Sequence, residues 1–181
     1  LLEGHKGRPY WPGGVSGVTL DPGVDLGHAS TDLVEQIYGP MLTGVQLRLI
    51  RKTFGLKGRD AKDALRLLPA LKRISISHEQ ALAAMPFTAR PYWDGIRDRF
   101  RALSRKATPP SVQTALLSLA YNRGIRNSKL APLGPLLQHG DWPSAAQTIG
   151  RMQQNHTLTG IRRRRRDEAA IVLAELDLLA D

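Results

Sequence analysis

Near its start the chain gathers oxygen-bearing side chains around a glycine-rich turn. The stretch reads Gly17-Val18-Thr19-Leu20-Asp21-Pro22-Gly23-Val24-Asp25-Leu26-Gly27-His28, with the hydroxyl of Thr19 six residues before the carboxylate of Asp25. A further acid, Glu3, stands just upstream. Two acids near one cleft are what cleavage of a glycosidic bond requires. One, protonated, gives its proton to the leaving oxygen; the other, ionised, stabilises positive charge at the sugar or activates water. A threonine hydroxyl beside them can hold that water. Asp21, Asp25, His28 and Asp32 could also be pictured around a cation, but their spacing fits no standard metal loop, so no metal is expected.

Other chemistries lack their residues. The chain has no P-loop, no G-x-G-x-x-G ahead of a helix, no G-x-S-x-G elbow and no H-E-x-x-H. The five His residues, at 5, 28, 78, 139 and 156, are scattered. With no Cys, disulfide scaffolds, thiolate zinc sites and cysteine nucleophiles are excluded. No cofactor is implied. The formal charge is +10, from 26 Lys and Arg against 16 Asp and Glu, more than solubility needs, and it steers the protein toward a polyanion. Nucleic acid, an anionic membrane surface and anionic cell-wall polymer all fit that sign. A hydrophobic content of 41% with 23% charged residues is globular composition. No apolar run approaches the roughly 20 residues of a membrane span.

Two regions must position the candidates. Residues 4–29 are dense in Gly and Pro, with Val15, Val18, Leu20 and Val24 between the turns, and read as a small irregular β-hairpin region. From residue 30 the pattern is helical. Asp32 with Glu35, Thr43 with Gln46, and Ser77 with Gln80 read as capping boxes. The spacing predicts helices from 32 to Gly39, from 43 to Gly55, over 60–68, from 77 through Met85 and over 92–104. Thr108 before Pro109 predicts the start of a central apolar helix carrying Val112, Ala115, Leu116, Leu119 and Ala120. Asp141 caps another start, and a last helix is expected over about 160–179. The fold expected is mainly α, of α+β type: a β-hairpin region at 4–29, then a helical lobe at 30–181 forming a multi-helix bundle around a central apolar helix. The chain opens Leu1-Leu2-Glu3-Gly4, without Met or a signal-peptide pattern, and reads as a processed product or a piece of a longer chain.

Several of these blocks resemble the phage-type lysozymes (glycoside hydrolase family 24), closest to the pesticin-like muramidase branch. Glu3-Gly4, Gly17-Val18-Thr19 and Gly23-Val24-Asp25-Leu26-Gly27 are similar to that family's active-site segment, where Thr and Asp sit in a T-x-G-x-G-x-D-L-G string. The chain departs from the string with Asp21 where Gly is usual and Pro22 where an aromatic is common. Ala120-Tyr121-Asn122-Arg123-Gly124 resembles the aromatic-Asn-x-Gly segment that ends the family's central helix. Gly140-Asp141-Trp142-Pro143 and Gly160-Ile161 through Arg164-Arg165 to Glu168-Ala169 follow in family order.

The resemblance implies a single lysozyme-like catalytic domain over 1–181. It would cleave the β-1,4 bond between N-acetylmuramic acid and N-acetylglucosamine without cofactor. Glu3 would be the general acid, Asp25 the ionised carboxylate, and Thr19 the residue positioning water for an inverting attack. Asp21, Tyr121 and Asn122 would contact substrate, and Asp21 competes with Asp25 for the second-acid role. The implied partners are bacterial peptidoglycan and anionic envelope polymers, met at the cell wall by a monomer with no membrane span; nucleic acid is not expected.

Each assignment has a plainer counterpart: a solvated terminal charge for Glu3, a turn cap for Asp25, a strand residue for Thr19, helix-end packing for Tyr121 and Asn122. The rival functions are another lysozyme-superfamily glycosidase acting on chitin or chitosan, and a non-catalytic basic module binding wall or nucleic acid. In the Arg162–Arg166 run, five consecutive helical positions circle the whole helix, so one Arg must point inward. Arg164 or Arg165 is expected to do so and to pair with a carboxylate, Glu168 being the nearest candidate.

Overall fold

Side-chain alternation sets the first structural element. The computed structural model describes residues 4–104 and 107–180, and it is mainly helical with one small antiparallel sheet near the N-terminus, as the composition pattern predicts. Two strands, β1 (Thr19–Leu20) and β2 (Val24–Asp25), pair with Thr19 opposite Asp25 and Leu20 opposite Val24. Val18, Leu20, Val24 and Leu26 are buried in a hydrophobic cluster on one face. By the two-residue period of a strand, Gly17, Thr19, Asp25 and Gly27 belong to the other face. Tyr10 joins the edge of β1: its N–H donates to the Thr19 carbonyl (3.0 Å) and the Thr19 N–H to its carbonyl (2.8 Å).

The chain divides into two compact units, Leu1–Thr88 and Ala89–Asp181. In the first, α1 (Thr31–Tyr38), α2 (Gly44–Arg51) and α3 (Gly58–Leu67) follow the hairpin, and a 3-10 turn runs over Pro69–Arg73. Val34, Ile37, Tyr38, Ile50, Leu71, Ile74 and Ile76 complete the core behind the hairpin. The Tyr38 hydroxyl donates to the Asp21 carbonyl (2.9 Å), tying α1 to the hairpin turn.

The helix α4 (His78–Arg99) crosses the division between the units. In the second unit lie α5 (Pro110–Arg123), α6 (Leu133–His139), α7 (Trp142–Arg151) and α8 (Thr159–Ala180). Their core joins Val112, Leu116 and Leu119 of α5 to Leu133, Leu137, Ile149 and Val172.

The local signals are met in part. Thr43 and Gln46 form the full capping box, Gln80 and Ser77 exchange the same pair of bonds, and Asp141 accepts from the Ser144 N–H. Four boundaries differ. Ser30, not Asp32, caps α1 through a bond from the Leu33 N–H, because its hydroxyl sits one position outside the helix while Asp32 lies within the first turn. The α2 helix ends at Arg51 and gives way to turns before Gly55. The residues 77–85 and 92–104, expected as separate helices at Pro86, are joined as far as Arg99 in α4, which runs through Pro86 and Pro91. Each proline withholds one helix N–H. Burial of Ala81 and Ala84 on one side and of Ile96 on the other outweighs that loss. Finally, Pro109 rather than Thr108 is the cap of α5. Pro110 fills the first helical position, and the Ser111 N–H is met by the Glu175 carboxylate at 2.8 Å instead of by a cap side chain.

Within the Arg run, Arg165 is the inward residue. It is fully buried, and its Nη2 donates to Glu168 Oε1 at 2.8 Å. Arg162 turns to the His156 carbonyl, Arg163 pairs with Asp167 and Arg166 reaches Gln154. Burial pushes the Glu168 carboxyl above its usual range, against the pull of the Ser118 hydroxyl and of Arg165 and Arg164, and lowers the Arg165 guanidinium.

Candidate active site

Thr19 and Asp25 face each other because the hairpin register places them there. The backbone N–H and C=O of Thr19 are taken by Tyr10, so Thr19 and Asp25 are a non-hydrogen-bonded pair across the two strands. In such a pair the Cβ atoms lie about 4.5–5.5 Å apart on the same face. Gly17 and Gly27 extend the same register on that face and close around the Asp25 carboxylate. Asp25 Oδ1 accepts from the Gly17 N–H (2.9 Å) and the Gly27 N–H (2.8 Å), and Oδ2 shares the Gly17 N–H at 3.1 Å. Both glycines are needed for this approach: a Cβ on Gly17 would overlap Asp25 Oδ1 and the Gly27 amide, and one on Gly27 would lie 2.7 Å from the Leu56 carbonyl. Oδ2 therefore has the most capacity left for a further donor.

Thr19 is buried, and its hydroxyl donates to the Gly17 carbonyl at 3.4 Å, which leaves its lone pairs as acceptors. Asp21 lies at the turn and is used differently. It is only 4% exposed, and its Oδ2 accepts from the backbone N–H groups of Lys6 (2.8 Å) and Gly7 (2.6 Å). His5 Nε2 is 3.5 Å from the same oxygen and bonds the Ile76 carbonyl at 3.0 Å. Thr19, Asp21 and Asp25 are thus brought into one hairpin, with the two carboxylates turned to different backbone partners. Glu3 lies outside the described residues. Asp21, Asp25, His28 and Asp32 are not gathered as ligands, and among the described residues no cluster of three or more His, Asp or Glu could hold a metal ion.

Tyr10 is the neighbour that sequence reasoning missed. Burial, then the negative charges of Asp21 and Asp25, hold its phenol above the usual value of 10.0. A phenol with a raised folded-state pKa adds stability that is fully present below the unfolded value and is lost as pH rises through the folded one. An ultraviolet titration of the four tyrosines is therefore expected to show Tyr10 ionising above that value, with unfolding made easier over the same alkaline range. In Asp25→Asn the Tyr10 titration moves back toward the ordinary value; an unmoved titration would mean that the charge of Asp25 does not reach the phenol. The alternation of Tyr10 with Pro9, Trp11 and Pro12 gave no strand signal, so its pairing with Thr19 was not legible.

The other candidates stand in the second unit, in the last turn of α5. Tyr121 packs its ring against Tyr92 at 4.8 Å between centroids, and the Asn122 Oδ1 is buried with no hydrogen-bond partner among the described residues. Past them, Gly124, Ile125 and Arg126 line an open cleft of ≈ 860 Å³ with Gly95, Asp98 and Arg99. Arg99 holds that loop by donating to the carbonyls of Ile125 and Asn127.

A mainly helical chain with one small two-stranded antiparallel sheet near its N-terminus is of the α+β lysozyme-like class of fold. The family model described as Phage lysozyme matches residues 64–168, more than half of the chain, while no curated protein matches it. The chain belongs to the phage lysozyme family, and with it to the peptidoglycan hydrolases that act on the bacterial cell wall. The matched stretch begins after the hairpin and runs through α5 to Glu168 of α8. Among the described residues no helix is long and apolar enough to cross a membrane.

Proposed function

We propose that this protein is a muramidase of the pesticin-like branch of glycoside hydrolase family 24, with residues 1–181 as a single catalytic domain. It hydrolyses the β-1,4 bond between N-acetylmuramic acid and N-acetylglucosamine. The observation that carries the reading is the direct pairing of Thr19 with Asp25 on the hairpin face turned away from the core. Glu3 protonates the glycosidic oxygen as it leaves. Asp25 Oδ2 and the Thr19 hydroxyl accept the two hydrogens of one water and aim its oxygen at the anomeric carbon from the opposite side. The water attacks as the C–O bond breaks, its proton passes to Asp25, and the anomeric centre inverts. Tyr121 and Asn122 contact sugar. The net charge of +10 draws the monomeric enzyme to peptidoglycan and to the anionic polymers around it.

Digestion of purified peptidoglycan tests this reading. The expected products carry N-acetylmuramic acid at their new reducing ends, and the first-formed anomer is α. New reducing ends of N-acetylglucosamine would move the cleaved bond, and a first-formed β anomer would make the reaction retaining.

A further inference from the structure

We infer that Tyr10 is a substrate-binding residue whose phenol donates a hydrogen bond to the sugar held over Thr19 and Asp25. The inference rests on the proposed reading of that hairpin face as the reacting site. An antiparallel bridge sets Tyr10 directly opposite Thr19, on the side of β1 away from β2. The two residues exchange both backbone bonds, so they are a hydrogen-bonded pair with side chains on one face and Cα atoms about 5.5 Å apart. Tyr10, Thr19 and Asp25 thus stand in a row across three segments of chain. The charges of Asp21 and Asp25 both reach the phenol, which places the ring along this face. A sugar whose anomeric carbon meets a water between Thr19 and Asp25 lies alongside Tyr10.

The row is uneven in its hydrogen bonding. The Thr19 hydroxyl gives its proton to the Gly17 carbonyl, and the Gly17 and Gly27 N–H groups are taken by Asp25 Oδ1. What they leave open are acceptors, the Thr19 lone pairs and Asp25 Oδ2. The Tyr10 hydroxyl has no hydrogen bond among the described residues, so it is the uncommitted donor of the row. Burial and the two carboxylate charges keep it protonated. A saccharide presents acceptor oxygens in its hydroxyl and acetamido groups. Neither Asp25 nor Thr19 can donate to them, and Tyr10 can.

The test uses soluble glycan strands prepared from purified peptidoglycan, with the wild type, Tyr10→Phe, Asp25→Asn and the double variant. Phenylalanine keeps the ring and both backbone bonds to Thr19, so urea unfolding of Tyr10→Phe stays near that of the wild type. Its KM is expected to rise about tenfold with kcat within about twofold, because the lost bond is made equally to bound substrate and transition state. Binding of intact strands to Asp25→Asn, followed by calorimetry, weakens by the same factor when Tyr10→Phe is added. Unchanged KM and unchanged binding would overturn the inference. So would a loss confined to kcat, which would give the phenol a part in the chemistry rather than in holding the sugar. An unchanged KM with the acid limb of the pH–rate profile displaced would also overturn it, by assigning the phenol to Asp25. A fully active Asp25→Asn would instead remove the reading of the site, and strand binding by Tyr10→Phe would still report whether the phenol touches sugar.

Discussion

Asp25→Asn removes about three orders of magnitude of wall hydrolysis and leaves the fold standing. The asparagine oxygen can still accept from the Gly17 and Gly27 N–H groups that Asp25 Oδ1 now holds, so the hairpin keeps its register. The negative charge, and with it the proton acceptor that the proposed mechanism assigns to Asp25, is gone. Asp25→Ala does both kinds of damage. It loses the charge and strands two amides, each costing about 1–3 kcal/mol when left unmet in a buried setting. Reducing-end release and urea unfolding, measured side by side on the two variants, separate the effects. The asparagine variant is inactive and nearly as stable as the wild type, and the alanine variant is inactive and less stable. An asparagine variant that hydrolyses wall at the wild-type rate would return Asp25 to the status of a turn residue.

Glu168→Ala lowers the unfolding free energy by about 3–5 kcal/mol, because it leaves the Arg165 charge buried without its counter-charge. Arg165 is fully buried, its one acceptor contact is Glu168 Oε1, and its Nε and Nη1 find no hydrogen-bond partner among the described residues. The pair itself is a different matter. Two ions taken from water recover little net energy from one another, and apolar residues of similar volume often serve as well or better. The double variant Arg165→Met/Glu168→Leu is therefore expected to regain most of the stability that Glu168→Ala loses. Urea unfolding of the single and double variants gives the coupling directly. Additive losses would show that the two side chains act through separate contacts with α5 and α8.

How far the sequence spoke depended on the range of the interaction. Capping is local, so Thr43 with Gln46, Ser77 with Gln80 and Asp141 were legible from spacing alone. Helix geometry was enough to require one inward Arg in the 162–166 run and to name Glu168 as its nearest carboxylate, but Arg164 and Arg165 are four and three residues from it, and only the packing decides for Arg165. That Thr19 and Asp25 lie near one another was legible from their six-residue spacing across a Gly-centred turn, while their direct pairing is set by the strand register. The backbone partners of Asp21 were not legible, because Lys6 and Gly7 lie 15 and 14 positions away. The α4 helix was misjudged for a related reason. Pro86 signals a break locally, and what overrides it is packing that no window of neighbouring residues contains. Ser30 and Pro109 were missed by two positions and one, the scale on which two suitable cap residues in a row compete.

On the proposed mechanism, Glu3, ahead of a hairpin carrying Thr19 and Asp25, makes this family member a wall-cleaving glycosidase. The most direct measurement is the release of reducing sugar ends from purified peptidoglycan by the wild type beside Glu3→Gln, with folding followed by circular dichroism. The wild type should release them, and the folded Glu3→Gln protein should fall by about 100-fold or more, the scale of a lost general acid. Equal release by the two proteins would contradict the assignment of the acid, and release by neither would contradict the glycosidase itself.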